Sequence, residues 1–566
     1  MKMIEALSSP LPPFLIFFAA AVLAAVSPAI VRTTLTVFVP VIGGLLLFNT
    51  DLGDYYAYQM FSYQGELYRL DELSRLFGYL FHIAAFIGGV YALHIRDRTQ
   101  QIAVFIYAGS ALGAVMSGDL ISLFIFWELA AISSVVLIWA RGTSRAYHAG
   151  MRYLIVQVTS GMLLLVGCVL LIGDQGGDSA FGYIGANSTA GLLILLALGV
   201  KSAFPLMHNW LTDAYPEATP TGTVFLSAFT TKVAIYALAR GFPGTEELVY
   251  IGMMMTAFPI FYAVIENDLR RVLGYSMINQ LGFMVCGIGI GTELAVNGAV
   301  AHAFNDVIFK GLLFMSMGAV LHMTGRMNGS DLGGLYKSMP ITTTLCIIGA
   351  ASISAFPLFS GFVSKSMVMS AALMEGYSGV WLVLLFASAG VFHHAGIKIP
   401  YFAFFAHDAG IRTSEPPRNM LIAMGIAAAL CIGIGCFPGY LYQLLPYDTG
   451  YWPFDATHVI AQMQILFFSA LAFIWLQLSG IYPPELRSVN LDAEWFYRRA
   501  GPVIWNRTRD FIQHLISEAL QLMVRILHWM IAFATDSYTP PQTSQTSRMA
   551  LWVILLLGCY VMFYFF

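Results

Sequence analysis

Long, continuous apolar runs separated by short polar loops recur along this 566-residue chain. They predict helical spans at about 12–30, 33–49, 73–95, 101–117, 119–139, 149–172, 186–206, 220–241, 247–265, 271–291, 296–322, 340–374, 377–405, 418–438, 460–480 and 549–566, about sixteen in all. The runs are continuously apolar rather than alternating, which argues against a β-barrel. The fold class they predict is an all-α polytopic membrane protein. One late segment, 506–533, has a different pattern. Phe511, Ile512, Leu515, Ile516, Leu520, Met523, Ile526, Leu527 and Met530 recur at a helical period, and Gln513, His514, Glu518, Gln521, Arg525 and His528 occupy the other side. One apolar face predicts a helix lying along the membrane surface or across neighbouring proteins. A polar stretch, TPPQTSQTSR, separates it from the last anchor.

Loop charges add an orientation. Alternate loops carry Arg96 and Arg98; Arg141, Arg145 and Arg152; Arg270 and Arg271; Arg326 and Lys337; and Arg412 and Arg418. The intervening loops carry mainly acids, among them Asp51, Asp54, Glu66, Asp174, Asp178, Glu293, Glu375, Asp448 and Asp455. Positive charge collects on the cytoplasmic side, so the N-terminus is expected outside and the segment after the fifteenth span inside. The first apolar stretch reads as a span, with no cleavable leader apparent.

Composition agrees with a membrane protein and narrows its chemistry. Residues are 58% hydrophobic and 10% charged, with mean hydropathy +0.73, against about 25% charged in soluble domains. Cys168, Cys286, Cys346, Cys431, Cys436 and Cys559 all fall in apolar segments and form no CxxC. Iron–sulfur clusters, structural zinc and a disulfide framework are therefore not expected. No phosphate-binding loop or dinucleotide fingerprint stands out, so no cofactor, no resident metal and no enzymatic reaction of the chain's own is expected. Nucleic acid is not an expected partner.

The distribution of basic residues carries the functional signal. The chain has 7 lysines and 21 arginines. Nearly every arginine lies in a loop, at a span edge or in the C-terminal tail. Lys201, Lys232, Lys310, Lys365 and Lys398 lie inside apolar spans, and only Lys2 and Lys337 lie outside them. A buried lysine can lose its proton, whereas arginine stays charged. Ionisable residues in spans are expensive and mark ion or proton pathways by default. Glu128, in FWELAAISSVV, is the carboxylate expected to pair with a lysine. His302, Asp306 and Lys310 follow one another at four-residue steps in HAFNDVIFK, on one helix face. His208, His393 and His394 are weaker candidates, equally well read as packed histidines.

The pentapeptide SAFPL occurs at 202–206 and again at 354–358. Each copy puts a proline inside an apolar segment, with Lys201 just before the first and Lys365 seven residues after the second. Pro205 and Pro357 remove backbone donors, so a broken helix is expected at each.

These residues resemble a known family: the antiporter-like membrane subunits shared by Mrp-type cation/proton antiporters, respiratory complex I and membrane-bound hydrogenases. The matching strings are FWELAAISSVVLI, KSAFPLMHNWLTDAYPEATPTGTVFLSAFTTKVAIYALAR, ENDLRRVLGYSMINQLGF, HAFNDVIFKGLLF and AFPLFSGFVSK. Together they cover most of 60–440. The resemblance implies two inverted five-helix repeats, each with one broken helix. The expected layout is N-terminal helices at 1–100, a first repeat at 101–241, a second at 247–405, further helices at 418–480, and a cytoplasmic segment with the amphipathic helix and last anchor at 481–566. It implies a proton path through Glu128, Lys201, Lys232, Lys310 and Lys365, to which helix face, span break and spacing add His302, Asp306, His208 and Lys398 as secondary members. The spacing from Lys365 to Lys398 is close to that from Lys201 to Lys232, which pairs Lys398 with Lys232. The chain departs from the family where Asp306 replaces a second histidine and where its proline is shifted in KSAFPLMH.

The expected function is that of a proton-translocating subunit of a multisubunit sodium/proton antiporter, nearest the D type, in a bacterial-type cell membrane. Its expected partners are other integral membrane subunits, protons, the bilayer, and Na⁺ or K⁺. The alternatives are the same pump in a complex I-like or hydrogenase assembly, the membrane half of a bicarbonate-accumulating complex, and a structural scaffold.

Overall fold

A computed structural model describes residues 10–60, 63–487, 490–536 and 545–565. Lys2 and most of the TPPQTSQTSR stretch lie outside the described residues. The chain divides into two units, Met1–Asp492 and Ala493–Phe566.

The first unit is a helical bundle. Its elements are α1 (Pro13–Val26), α2 (Ala29–Phe48), α3 (Glu72–Tyr91), α4 (Arg98–Val115), α5 (Leu120–Trp139) and α6 (Ser144–Asp174). A broken helix follows, α7 (Thr189–Lys201) and α8 (Asn209–Ala214), then α9 (Gly222–Ala228) and α10 (Thr230–Gly241). The second half runs α11 (Glu246–Ile265), α12 (Leu269–Ile290), α13 (Glu293–Thr324), the broken pair α14 (Pro340–Ile353) and α15 (Ser360–Met374), and α16 (Ser378–Val391). The last of these continues into two π-helical turns, Phe392–Lys398 and Tyr401–Phe405. α17 (Arg418–Cys436) and α18 (Ala456–Leu478) complete the bundle. The second unit contains α19 (Gly501–Asp536) and α20 (Gln545–Phe565).

Each predicted span coincides with a helix or a broken pair. Among the described residues, twelve helices are long and apolar enough to cross a membrane. This count includes residues 496–532, where one-sided patterning favours a surface helix. The loop read as acidic between the second and third spans is a β-hairpin, β1 (Gly53–Met60) antiparallel to β2 (Tyr63–Leu70). Tyrosines recur through YYAYQ and at Tyr68, a residue type that fits half-buried strands. The span reading registered only the charges there.

The two copies of SAFPL fold alike. Ser202 and Ser354 are the C-caps of α7 and α14. Ala203 and Ala355 follow in left-handed conformation, with φ 64° and 59°. Phe204 N–H donates to Gly199 O (2.9 Å) and Ala203 N–H to Val200 O (3.2 Å). Phe356 N–H donates to Ala351 O (3.1 Å) and Ala355 N–H to Ser352 O (3.0 Å). Both are Schellman closures, which satisfy carbonyls the helix end would otherwise leave bare. A second turn follows, closed by Met207 N–H on Phe204 O (2.9 Å) and by Phe359 N–H on Phe356 O (3.1 Å). Its third residue, Leu206 or Leu358, has φ 68° or 72°, a position that favours glycine.

Arg270 departs from its reading as a loop charge. It is fully buried and donates to Pro216 O (2.9 Å), Ala218 O (3.1 Å), Tyr215 O and Thr219 O (both 3.4 Å), and the Thr223 hydroxyl. It pins the turn between α8 and α9 to the start of α12.

A left-handed leucine costs about 1–2 kcal/mol, and Leu206 is 76% exposed, so little packing is at stake there. Leu206→Gly is expected to hold or raise the unfolding midpoint of the detergent-purified protein. Leu206→Val is expected to lower it. Equal midpoints for the two variants would contradict the strain assigned to this turn.

Candidate functional site

The site is best built outward from α13. This helix has good helix formers and an apolar surround, yet it places His302, Asn305, Asp306 and Lys310 in the interior, all of them fully buried. Buried polar groups require partners, and each draws on a different neighbour. Asp306 Oδ2 accepts from Lys232 Nζ at 2.5 Å, with neither side chain exposed. Lys310 Nζ donates to Ser276 Oγ on α12 at 2.8 Å. His302 contacts Ser364 Oγ on α15 through Nδ1 (3.0 Å) and Gln280 Oε1 on α12 through Nε2 (3.1 Å). Asn305 donates to Ser360 O (2.8 Å) and Ser364 Oγ (3.1 Å). The three residues predicted to share one face therefore share a helix but reach three different partners. The Lys232–Asp306 pair joins α10 of the first half to α13 of the second.

The two broken helices supply the outer lysines. Lys365, on α15, donates to Ile353 O, the last carbonyl of α14, at 2.8 Å. Lys201 is the last residue of α7. Its Nζ donates to Trp127 O (3.1 Å) and lies 3.9 Å from the Trp127 ring centroid, a cation–π contact. The expected Glu128 pairing is looser than a hydrogen bond. Glu128 and Lys201 interact electrostatically, but Glu128 Oε1 has no hydrogen-bond partner among the described residues. That oxygen occupies a notch on α6, where a Cβ on Gly161 would lie 1.4 Å from it.

Lys398 ends the first π-helical turn. Its Nζ donates to Val264 O and Glu266 O (2.6 Å each) and to Ala263 O (3.3 Å), at the C-terminus of α11. It also lies 2.9 Å from Glu485 Oε1. Lys232 follows the interruption of its own span at Phe229, so both lysines stand beside a local departure from α-helical geometry. His208 Nε2 contacts Asp492 Oδ2 at 3.2 Å, and Tyr275 O–H donates to the same oxygen at 2.7 Å. The ring of His393 packs against Phe473 and Tyr482. His394 is fully buried, and its Nε2 has no partner among the described residues.

Sequence reasoning missed the polar residues that bond these groups: Ser276, Gln280, Ser360, Ser364, Tyr275, Glu485 and Asp492. A signal existed for some of them. Ser276 and Gln280, and Ser360 and Ser364, stand four apart on mainly apolar helices, so each pair shares one helix face.

Comparison with known proteins shows the family of the chain. Residues 117–433 match the family described as "NADH:quinone oxidoreductase/Mrp antiporter, TM", and the chain belongs to that family. It is 31% identical over 424 residues to the A-type subunit of the Na(+)/H(+) antiporter of Alkalihalophilus pseudofirmus, covering 66% of this chain and 52% of that protein. It is 30% identical over 400 residues to the probable A/B-type subunit of the K(+)/H(+) antiporter of Rhizobium meliloti, covering 65% and 40%. The chain thus spans about half the length, or less, of these curated relatives. Its fold matches a chain in the structure of the Mrp complex from Dietzia sp. DQ12-45-1b, with TM-score 0.67 and 20% identity over 83% of this chain and 99% of that one. It also matches a chain of an archaeal membrane-bound sulfane sulfur reductase, with TM-score 0.71 and 20% identity over 97% and 99%.

The Gly161 notch generates a direct test. Gly161→Ala is expected to displace the Glu128 carboxylate while leaving the helices folded. If the chain carries protons, proton flux by assembled protein should fall toward the level of Glu128→Ala. A Gly161→Ala variant with full transport would show that the position of this carboxylate is immaterial.

Proposed function

We propose, from membership of that family, that this chain is a proton-translocating membrane subunit of a multisubunit cation/proton antiporter. The observation that carries the reading is the set of buried lysines spread over both repeats and joined at the Lys232–Asp306 pair. In this reading Glu128 and Lys201 form the first half-site, Lys232 links the halves, Lys310 is the central relay and Lys365 serves the second half. His302, Asp306, Lys398 and His208 support them. The repeats are drawn at 101–241 and 247–405, and the arginine-bearing loops face the cytoplasm.

Protons would pass between lysines by successive charging. A lysine that gains a proton repels the next, and a carboxylate nearby holds the charge in place. The counter-ion is Na⁺ or K⁺, in keeping with the names of the relatives, and the partners are further integral membrane subunits. The D-type assignment rests on the motif strings alone, whereas the curated relatives compared above are of the A type. The subunit composition of the purified complex decides between them. A second reading, a pump driven by redox partners, is supported by the C-terminal amphipathic helix and anchor and by the fold match to the sulfane sulfur reductase chain over nearly its whole length. Redox subunits in the purified complex would favour it.

The test is proton flux in everted vesicles. Lys201→Ala and Glu128→Ala are expected to lose antiport. Lys310→Arg should also fail, because it keeps the charge but cannot release the proton. Full antiport in all three, at normal assembly, would sink the proposal.

A further inference from the structure

The second half of the bundle surrounds Lys398 with groups whose role the row of lysines leaves unexplained. α16 leaves α-helical geometry at Phe392 and continues as a π-helical turn to Lys398. Such turns are rare and are frequently found at functional sites. Here the turn brings two ionisable side chains inward. His394 is fully buried; the Gly390 backbone lies close to its ring, and its Nε2 has no partner among the described residues. It lies within electrostatic range of both Lys310 and Lys398. Lys398 is itself fully buried and contacts Glu485.

Glu485 comes from the segment that follows α18, outside the spans. Its Oε1 lies 2.9 Å from Lys398 Nζ. Its side chain is 7% exposed, and burial raises its carboxyl above the ordinary range, an effect that Lys398 offsets and Glu266 reinforces. The charged and titratable groups around this end include Lys398, Glu266, His393 and Tyr482, with Arg271 3.9 Å from Glu266. Before Glu485 the Tyr482 ring packs against His393 and Phe473; after it Arg487 pairs with Asp331 at 2.6 Å and Asn490 donates to Glu266 Oε2 at 3.3 Å.

Two readings compete. In the first, Lys398 is only a cap: it satisfies the end carbonyls of α11, and Glu485 neutralises it. In the second, the pair exchanges protons. The cap explains Lys398 but gives no reason for a neighbouring buried histidine with a free ring nitrogen. A buried polar atom left without a partner costs about 1–3 kcal/mol, and an alanine at 394 would avoid that cost.

We propose that His394, Lys398 and Glu485 form a second proton route, connecting Lys310 to the face that carries the arginine-rich loops. The route rests on the proposed proton conduction through Lys310. A proton on Lys398 passes to the Glu485 carboxylate, leaving a neutral amine and a neutral acid, and the acid then releases it outward. In the other direction the amine accepts a proton from Glu485 and hands it to the His394 ring nitrogen.

The experiment measures initial proton flux in vesicles containing the whole complex, with assembly quantified in each sample. Glu485→Gln keeps the shape and the packing but cannot carry a proton. Lys398→Arg keeps the charge and the donors to the α11 carbonyls but stays protonated. Both, together with His394→Gln, are expected to slow flux at least tenfold, and Glu485→Asp should recover part of it. If Lys398→Arg fails to assemble, Glu485→Gln and Glu485→Asp decide alone. Flux in Glu485→Gln within twofold of the unsubstituted complex overturns the route. Lys201→Ala and Lys310→Arg are measured in parallel. If they abolish flux while Glu485→Gln does not, only the second route fails. If none of them matters, proton conduction through this chain fails with it.

Discussion

A charge placed in hydrocarbon has no water to fall back on, so the protein itself must solvate it. In this bundle much of that solvation comes from the negative ends of helices. Lys365 rests on the last carbonyl of α14. Lys398 gathers three carbonyls at the end of α11. Lys201 is the last residue of α7, and Lys232 reaches Ser227 O at the end of α9 at 3.4 Å. A helix C-terminus carries about half a negative charge. Breaking a span creates such an end in mid-bundle. At two of the breaks the lysine and the helix end go together: Lys365 finds its acceptor on the end of α14 and Lys232 on the end of α9. Two lysines find acceptors away from helix ends: Lys201 Nζ donates to Trp127 O within α5, and Lys310, in the middle of unbroken α13, depends on a serine hydroxyl.

The repeated pentapeptide shows how far the two halves correspond. Both copies close a helix with the same pair of hydrogen bonds and the same two left-handed residues. Counting outward from the shared serine, Lys201 corresponds to Ile353, and Lys365 corresponds to Asp213. Asp213 is tied to Arg152 at 2.7 Å. The backbone of the break is thus duplicated while its charge is moved. In the first half the lysine is part of the helix that ends; in the second it approaches that end from the other fragment. Under the proposed function, two sites with the same scaffold and different electrostatics suit a chain in which one half loads protons and the other unloads them.

The spans were legible because every one of them needs an apolar run. The breaks were legible because proline has no amide hydrogen to donate. The lysines stood out because a charge in an apolar run is rare. What sequence could not show was which polar groups meet. Glu128 reads as a partner for Lys201, yet the space for its carboxylate is set by a missing side chain on α6, far along the chain. His208 meets Asp492 across 284 positions, and no local periodicity records such a contact. The β-hairpin was hidden for a different reason: its tyrosines and acids read equally well as a loop. The π-helical turns leave no composition signal, since they differ from α-helix only in hydrogen-bond register.

The centre of the proposed pathway contains more cations than anions. Asp306 bonds Lys232 directly, and it also interacts electrostatically with Lys310 and Lys365. One carboxylate thus serves three lysines. Two unit charges about 4 Å apart interact by about 4 kcal/mol at the effective dielectric of a protein. Asp306 can therefore compensate fully for one ammonium at a time, and a second one nearby is left to pay its own desolvation. Charging Lys310 or Lys365 then weakens the hold on Lys232, and a proton arriving at one end favours release elsewhere. A second histidine at this position, neutral or positive, would remove that competition. The substitution by aspartate turns the middle of the chain into a point where the two halves contend for the same negative charge.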